Sequence, residues 1–182
     1  MSAKSPSSEN PEVTAKAITV RRARTSDVAG IRGLLDTYVR DRILLDKATV
    51  TLYEDLQEFW IAERDDNAEL VGFGALHVMW EDLAEVRTLA VKPGLRGAGV
   101  GHQLLEKLLQ TARWLGVRRV FCLTFEVDFF GKHGFVEIGE TPVDTDVYAE
   151  LLRSYDEGVA EFLGLERVKP NTLGNSRMLL HL

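Results

Sequence analysis

Cysteine is nearly absent from this chain. One residue, Cys122, stands among 182, so no intrachain disulfide can staple the fold, and the composition fits a reducing compartment. Its neighbours Val120, Phe121 and Leu123 are those of a buried strand, which predicts a packed thiol rather than a nucleophile. Long apolar runs are missing too. No stretch reaches bilayer-spanning length and the N-terminus carries no signal-peptide hydrophobic segment, so no membrane partner is expected and the expected location is the cytoplasm. Positive charge is in deficit, with 22 Lys and Arg against 28 Asp and Glu and a net charge of −6. A general nucleic-acid binder needs a basic surface, so nucleic acid is not an expected partner, and any anionic ligand must be met by local groups. Proline is sparse, and two of the five prolines fall in residues 1–16. That polar, serine-containing stretch has no periodicity and reads as a flexible tail. The whole chain is 45% apolar, and the remainder, 17–182, reads as one globular domain.

What the chain does have is an organised stretch from Glu85 to Gly116. A β-rich run ending Leu89-Ala90-Val91 stops at Pro93-Gly94, passes through Arg96-Gly97-Ala98-Gly99-Val100-Gly101, and enters a run with apolar residues at helical spacing. Strand, glycine turn and helix make an anion site. Glycines let a ligand approach the backbone, main-chain N–H groups converge there, and the helix N-terminus is partly positive. Arg96 adds a planar cation suited to a diphosphate. Val100, Leu104, Leu105, Leu108, Leu109, Ala112 and Leu115 line one stripe of the helix.

Around this centre the elements follow in order. Ala17 to Arg22 reads as a strand, and Thr25-Ser26-Asp27 caps a helix with Val28, Ile31, Leu34, Leu35 and Tyr38 on one face. An apolar loop at 43–45 and a helix from Val50 to Gln57 come next. Two antiparallel strands, Phe59 to Glu63 and Leu70 to Met79, precede the strand Leu83 to Val91. Gly72 and Gly74 predict a bulge or close packing. Val117 to Thr124 reads as a buried strand, Val127 to His133 as a short helix, Phe135 to Ile138 as a strand, Asp144 to Phe162 as one helix, Lys169 to Ser176 as a loop and Arg177 to Leu182 as a closing strand.

The spacing Arg96-x-x-Gly99-x-Gly101, with Phe129-Phe130-Gly131-Lys132-His133-Gly134-Phe135 downstream, resembles the acyl-CoA signature of the GCN5-related N-acetyltransferase superfamily. The resemblance implies an α/β (α+β) fold, with a mixed, mostly antiparallel sheet of about six or seven strands flanked by helices. It implies acetyl-CoA as co-substrate, with no metal. Residues Arg96 to Gly101 would hold the pyrophosphate, Leu89, Ala90 and Val91 would pair with the pantetheine arm, and the N–H of Leu89 or its neighbour would face the thioester oxygen. Glu85 is the candidate base, because period-two alternation sets Glu85, Arg87 and Leu89 on one face of the strand; Glu81 and Asp82 are alternatives. Where many members carry a tyrosine acid, this chain has Phe130. Thr124 is the candidate hydroxyl in its stead.

A narrower resemblance rests on Ile43-Leu44-Leu45-x-Lys47, Glu54-x-x-Gln57-x-Phe59, Gly72-x-Gly74-Ala75-Leu76-His77, Ala84-Glu85-Val86-Arg87, Leu123-Thr124, Ser154 to Leu163 and Asn175-Ser176-Arg177-Met178-Leu179. Together they look like the acetyltransferase domain of N-acetylglutamate synthase in its short stand-alone bacterial form. That implies acetyl transfer to the α-amine of L-glutamate, or of L-glutamine, as the first step of arginine biosynthesis. Lys47, Arg87 and Arg177 are the candidate grips on substrate carboxylates, and a homodimer is compatible. Two other readings stay open: an acetyltransferase for proteins or other small amines, and a non-catalytic acyl-CoA-binding module.

Overall fold

The computed structural model describes residues 17–165 and 174–182. The tail at 1–16 and most of the expected loop at 169–176 lie outside the described residues. Seven strands form one sheet in the order β1-β2-β3-β4-β5-β7-β6: β1 Ile18–Arg22, β2 Phe59–Arg64, β3 Leu70–Trp80, β4 Leu83–Val91, β5 Arg119–Thr124, β6 Val136–Glu137 and β7 Ser176–His181. Of these neighbours only β4 and β5 run parallel. A parallel pair needs a crossover, and helix α3, Val100–Leu115, supplies it.

Helix α3 packs its apolar stripe on one face of the sheet. Leu104, Leu105, Leu108 and Ala112 are wholly buried, and each leucine is worth about 1.5 to 3 kcal/mol before entropy is charged. Gly72 and Gly74 of β3 let it approach, since a Cβ there would stand 3.0 Å from Leu104 Cδ1 and 3.1 Å from Leu108 Cδ1 respectively. Gly116, in the left-handed region at φ +86°, ends the helix. On the other face lie α1, Val28–Arg40, and α2, Thr49–Glu54, packed on Phe59, Ile61, Phe73 and Ala90. Beyond them α5, Thr145–Leu151, and α6, Glu157–Phe162, cover Leu83, Phe121 and Leu179. The short helix α4, Val127–Gly131, follows β5. Among the described residues no helix is long and apolar enough to cross a membrane.

The expected helix from Asp144 to Phe162 is two helices. Asp156 breaks it: its side chain accepts a hydrogen bond from the Val159 N–H at 2.9 Å and so starts α6 afresh. Cys122 is buried in β5, and burial pushes its thiol well above the usual range.

Candidate active site

The site begins with a defect in β4. Ala75 pairs with Arg87 and Phe73 with Ala90, so Thr88 and Leu89 together oppose Gly74. Thr88 takes the left-handed conformation at φ 52°, which strains a β-branched residue and marks a bulge. One inserted residue reverses the alternation. Glu85 and Arg87 therefore face α6, whereas the Leu89 side chain packs beside Leu108 of α3. The expected common face of Glu85, Arg87 and Leu89 holds only for the first two.

The same bend opens the sheet. β4 and β5 pair over Leu83–Glu85 and Arg119–Phe121 and then separate. The β5-facing edge of β4 borders a cleft of about 400 Å³. Its walls include Thr88, Leu89, Ala90 and Val91 from β4, Thr124 from β5, and Phe129 and Phe130 from α4. Its end is the glycine loop: Gly97 and Gly99 both sit at φ +82°, conformations that a side chain would strain. Gly99 is also the N-cap of α3, so the first-turn amides beyond it have no partner within the helix. Arg96, Gly97, Gly99 and Gly101 line this end, whereas Ala98 and Val100 pack in the apolar cluster behind it. Arg96 is half exposed, 3.5 Å from Glu126 and with its guanidinium 5.8 Å from the Tyr38 ring centre. The Tyr38 hydroxyl donates to the Val91 carbonyl, which holds the strand edge in place. Thr124 Oγ1 accepts the Glu126 N–H at 2.8 Å, leaving its own proton free to donate.

A second cleft, about 110 Å³, adjoins the first across Ile43, Leu44, Val86, Thr88, Leu123 and Asn175. Here Glu85, 4% exposed, and Arg87, 8% exposed, form a buried pair. Arg87 Nε and Nη2 donate to Glu85 Oε2 at 3.0 and 2.6 Å, and Nη1 and Nη2 donate to Asp156 at 3.0 Å each. Burial works against the Arg87 charge, but Glu85 and Asp156 outweigh it and raise the guanidinium above its ordinary value. Burial likewise acts to raise Asp156, yet the hydrogen bonds and charge of Arg87 and the Val159 N–H bring it down to about 2. Helix α6 can close on this pair only because residue 158 is glycine: a Cβ would stand 2.6 Å from Arg87 Nη2 and 2.7 Å from Glu85 Oε2.

Lys47 also lines the smaller cleft, 3.8 Å from Asp55. Glu161 lines it as well, and its carboxyl is pushed up to about 7 by burial and then by the charges of Glu85 and Glu157. Four carboxylates, Asp46, Glu85, Glu157 and Glu161, line this cleft against two cations, Lys47 and Arg87.

The structure thus brings Glu85, Arg87 and Lys47 together, one wall away from Leu89, Thr124, Phe130 and the glycine loop. Arg177 lines neither cleft. Its guanidinium donates to the Phe162 carbonyl and lies 5.7 Å from the Phe121 ring centre, half-buried against β5 and α6. Of the two alternative bases, Glu81 and Asp82, neither lines the clefts, and Asp82 is 3.0 Å from Arg119. Residues to which sequence reasoning gave no site role are Thr88, Tyr38, Phe129, Asp156, Gly158, Glu161 and Asn175. Asp156 and Gly158 had a legible signal, an N-cap with a glycine two positions on inside an otherwise helical run. The bulge at Thr88 had none beyond Gly74 on the facing strand.

With that geometry in hand, comparisons add a family. The model described as "Acetyltransferase (GNAT) family" matches residues 32–135. An amino-acid acetyltransferase of Mycobacterium tuberculosis is 60% identical over 162 residues, 88% of this chain and 92% of that protein. A crystal structure of a protein from the same organism, in complex with CoA, superposes with a TM-score of 0.86 at 60% identity, covering 90% of this chain and 99% of that one. The N-acetylglutamate synthase of Neisseria gonorrhoeae, complexed with coenzyme A and N-acetyl-glutamate, gives a TM-score of 0.71 at 23% identity, over 91% of this chain and 35% of that one. At that identity the likeness is one of fold.

Proposed function

Since the chain belongs to the GNAT family of acetyltransferases, whose co-substrate is acetyl-CoA, we propose that it acetylates the α-amine of L-glutamate or L-glutamine. With glutamate this is the first step of arginine biosynthesis. The observation that carries the reading is the pair of joined clefts, one edged by a free strand and a glycine loop, the other lined by Glu85, Lys47 and Glu161. The amino-acid acetyltransferase at 60% identity supports the acceptor class.

In this reading the loop from Arg96 to Gly101 holds the pyrophosphate, and the edge at Leu89, Ala90 and Val91 pairs with the pantetheine arm. Acetyl-CoA supplies an activated thioester. Glu85 takes a proton from the substrate ammonium, directly or through a water, so that the amine can attack the thioester carbon. The Leu89 N–H stabilises the developing oxyanion. Phe130 cannot protonate the departing thiolate, and the Thr124 hydroxyl, oriented by the Glu126 N–H, can hold at that wall of the cleft a water that relays to the sulfur the proton lost by the newly acylated amine. Lys47 holds a substrate carboxylate. Arg87, fully engaged by Glu85 and Asp156, orients the base rather than gripping substrate.

Between the two acceptors the charge of the smaller cleft favours glutamine. Glu85 is paired with Arg87 and Asp46 with Arg32, which leaves Glu157 and Glu161 against Lys47; these acidic groups oppose a second substrate carboxylate but accept hydrogen bonds from an amide. The test is CoA release with acetyl-CoA and a panel of amino acids, aminoglycosides and short peptides. Turnover confined to glutamine and glutamate is the expected result. Turnover on peptides or aminoglycosides alone would replace the reading.

A further inference from the structure

Away from the proposed chemistry, two histidines from distant parts of the chain face one another beside an acidic side chain. His102 lies in the first turn of α3 and Glu106 one turn later on the same face. His133 follows α4, with its backbone N–H bonded to the Phe130 carbonyl at 2.9 Å. His102 Nδ1 stands 3.3 Å from His133 Nε2, and the ring centres are 4.9 Å apart. On the other side of the ring, His133 Nδ1 is 3.7 Å from Glu106 Oε1. One donor atom from each of the three residues falls within 4.8 Å of the others.

The separation of the two imidazole nitrogens matches two ligands of one ion, which Glu106 would join by turning its carboxylate from the Nδ1 side of His133 to the Nε2 side. Two imidazole nitrogens bound at about 2.0–2.1 Å to one tetrahedral Zn²⁺ stand roughly 3.4 Å apart. Phe129 packs on His133 with ring centres 5.1 Å apart and holds that ring in place. The nearby cation Lys107 is turned away toward Trp60, 5.9 Å from its ring centre. His102 is exposed and the other two are half-buried, so an ion has access from solvent. A hydrogen-bond chain, with His133 accepting from His102 at Nε2 and facing Glu106 through Nδ1, is the alternative explanation of the two contacts, and metal titration separates it from a shared ion.

We propose that His102, Glu106 and His133 form a binding site for a late first-row divalent cation such as Zn²⁺, at the rim of the larger cleft. The donor set, two imidazoles and a carboxylate, is that of nitrogen- and oxygen-preferring transition metals rather than of Ca²⁺ or Mg²⁺. Three protein donors leave a fourth position for water or a ligand. Because His102 also lines the cleft with the glycine loop, the ion would sit beside the anion-binding end of that cleft.

The test is calorimetric titration of metal-free full-length protein with ZnCl₂, paired with the visible spectrum of the Co²⁺-loaded protein. The expected result is one tight equivalent and a tetrahedral Co²⁺ band. His102→Ala or His133→Ala should weaken binding by more than about 100-fold, and Glu106→Gln by roughly tenfold. His181→Ala, at an exposed histidine of β7, should bind as the parent does. If His133→Ala fails to fold, the exposed His102→Ala alone decides. Absence of a saturable equivalent, or parental affinity in His102→Ala, would overturn the proposal.

Discussion

The two clefts meet at Val86, Thr88 and Leu123, yet they are made of different material. The larger is mostly backbone: an unpaired strand edge, glycines at positive φ and the first turn of a helix. The smaller is mostly side chains, and its charges arrive from four places, the loop at 46–47, β4, Asp156 and α6. Backbone sites tolerate changes of side chain but not of conformation. Side-chain sites depend on pairing, because a buried charge that loses its partner is costly. The difference predicts that substitutions will separate cleanly into those felt by acetyl-CoA and those felt by the acceptor.

The largest expected effect is on chemistry alone. Glu85→Gln should lower kcat by about 10²- to 10⁴-fold while the KM for acetyl-CoA stays at the parental value in steady-state assays; an unchanged pH profile would remove Glu85 from the mechanism. Next comes Gly158→Val, whose side chain would enter the space of Arg87 Nη2 and Glu85 Oε2. A displacement of that kind should cost about 10²-fold in kcat/KM for the acceptor, with calorimetric CoA affinity unchanged. If CoA affinity fell equally, the two clefts would not be separable.

Gly99→Val reverses the pattern. A β-branched residue at φ +82° carries about 1–2 kcal/mol of strain, so the Kd for CoA should rise by roughly tenfold while the acceptor KM holds. The smallest effect is on pH dependence. The Glu161 carboxyl stands at about 7 in the fold and near its ordinary value of about 4.3 when unfolded. Between those values the unfolded chain has released a proton that the folded chain retains, so this group's contribution turns unfavourable as pH rises from about 4.3 to 7. Glu161→Gln should therefore gain stability at pH 8 and none at pH 4, by about 1 kcal/mol after allowing for its half exposure. Denaturant titrations at the two pH values check this.

The same contrast explains what the sequence revealed. The loop from Arg96 to Gly101 is contiguous, and contiguous motifs can be read directly; so could α3, whose stripe and terminal Gly116 lie in one segment. The sheet was legible for the same reason, since each strand carries its own pattern. The smaller cleft was legible only at its charges. Lys47, Glu85 and Arg87 stood out, but Asp156, 69 positions from Arg87, could be joined to it only by folding. Arg177 shows the converse: a cation at the right place in the sequence whose guanidinium serves the Phe162 carbonyl. Thr88 is the instructive failure. A period-two argument assumes an unbroken strand, and the bulge that breaks it also splays β4 from β5 and turns Leu89 to the α3 face.

Amide hydrogen exchange tests the division most directly, first with CoA alone and then with CoA and N-acetylglutamate or N-acetylglutamine. The account predicts that CoA slows exchange at 88–91 and 96–103, and that the acetylated amino acid adds protection at 43–47 and 156–161. Protection by the amino acid elsewhere, with 43–47 and 156–161 unaffected, would contradict it.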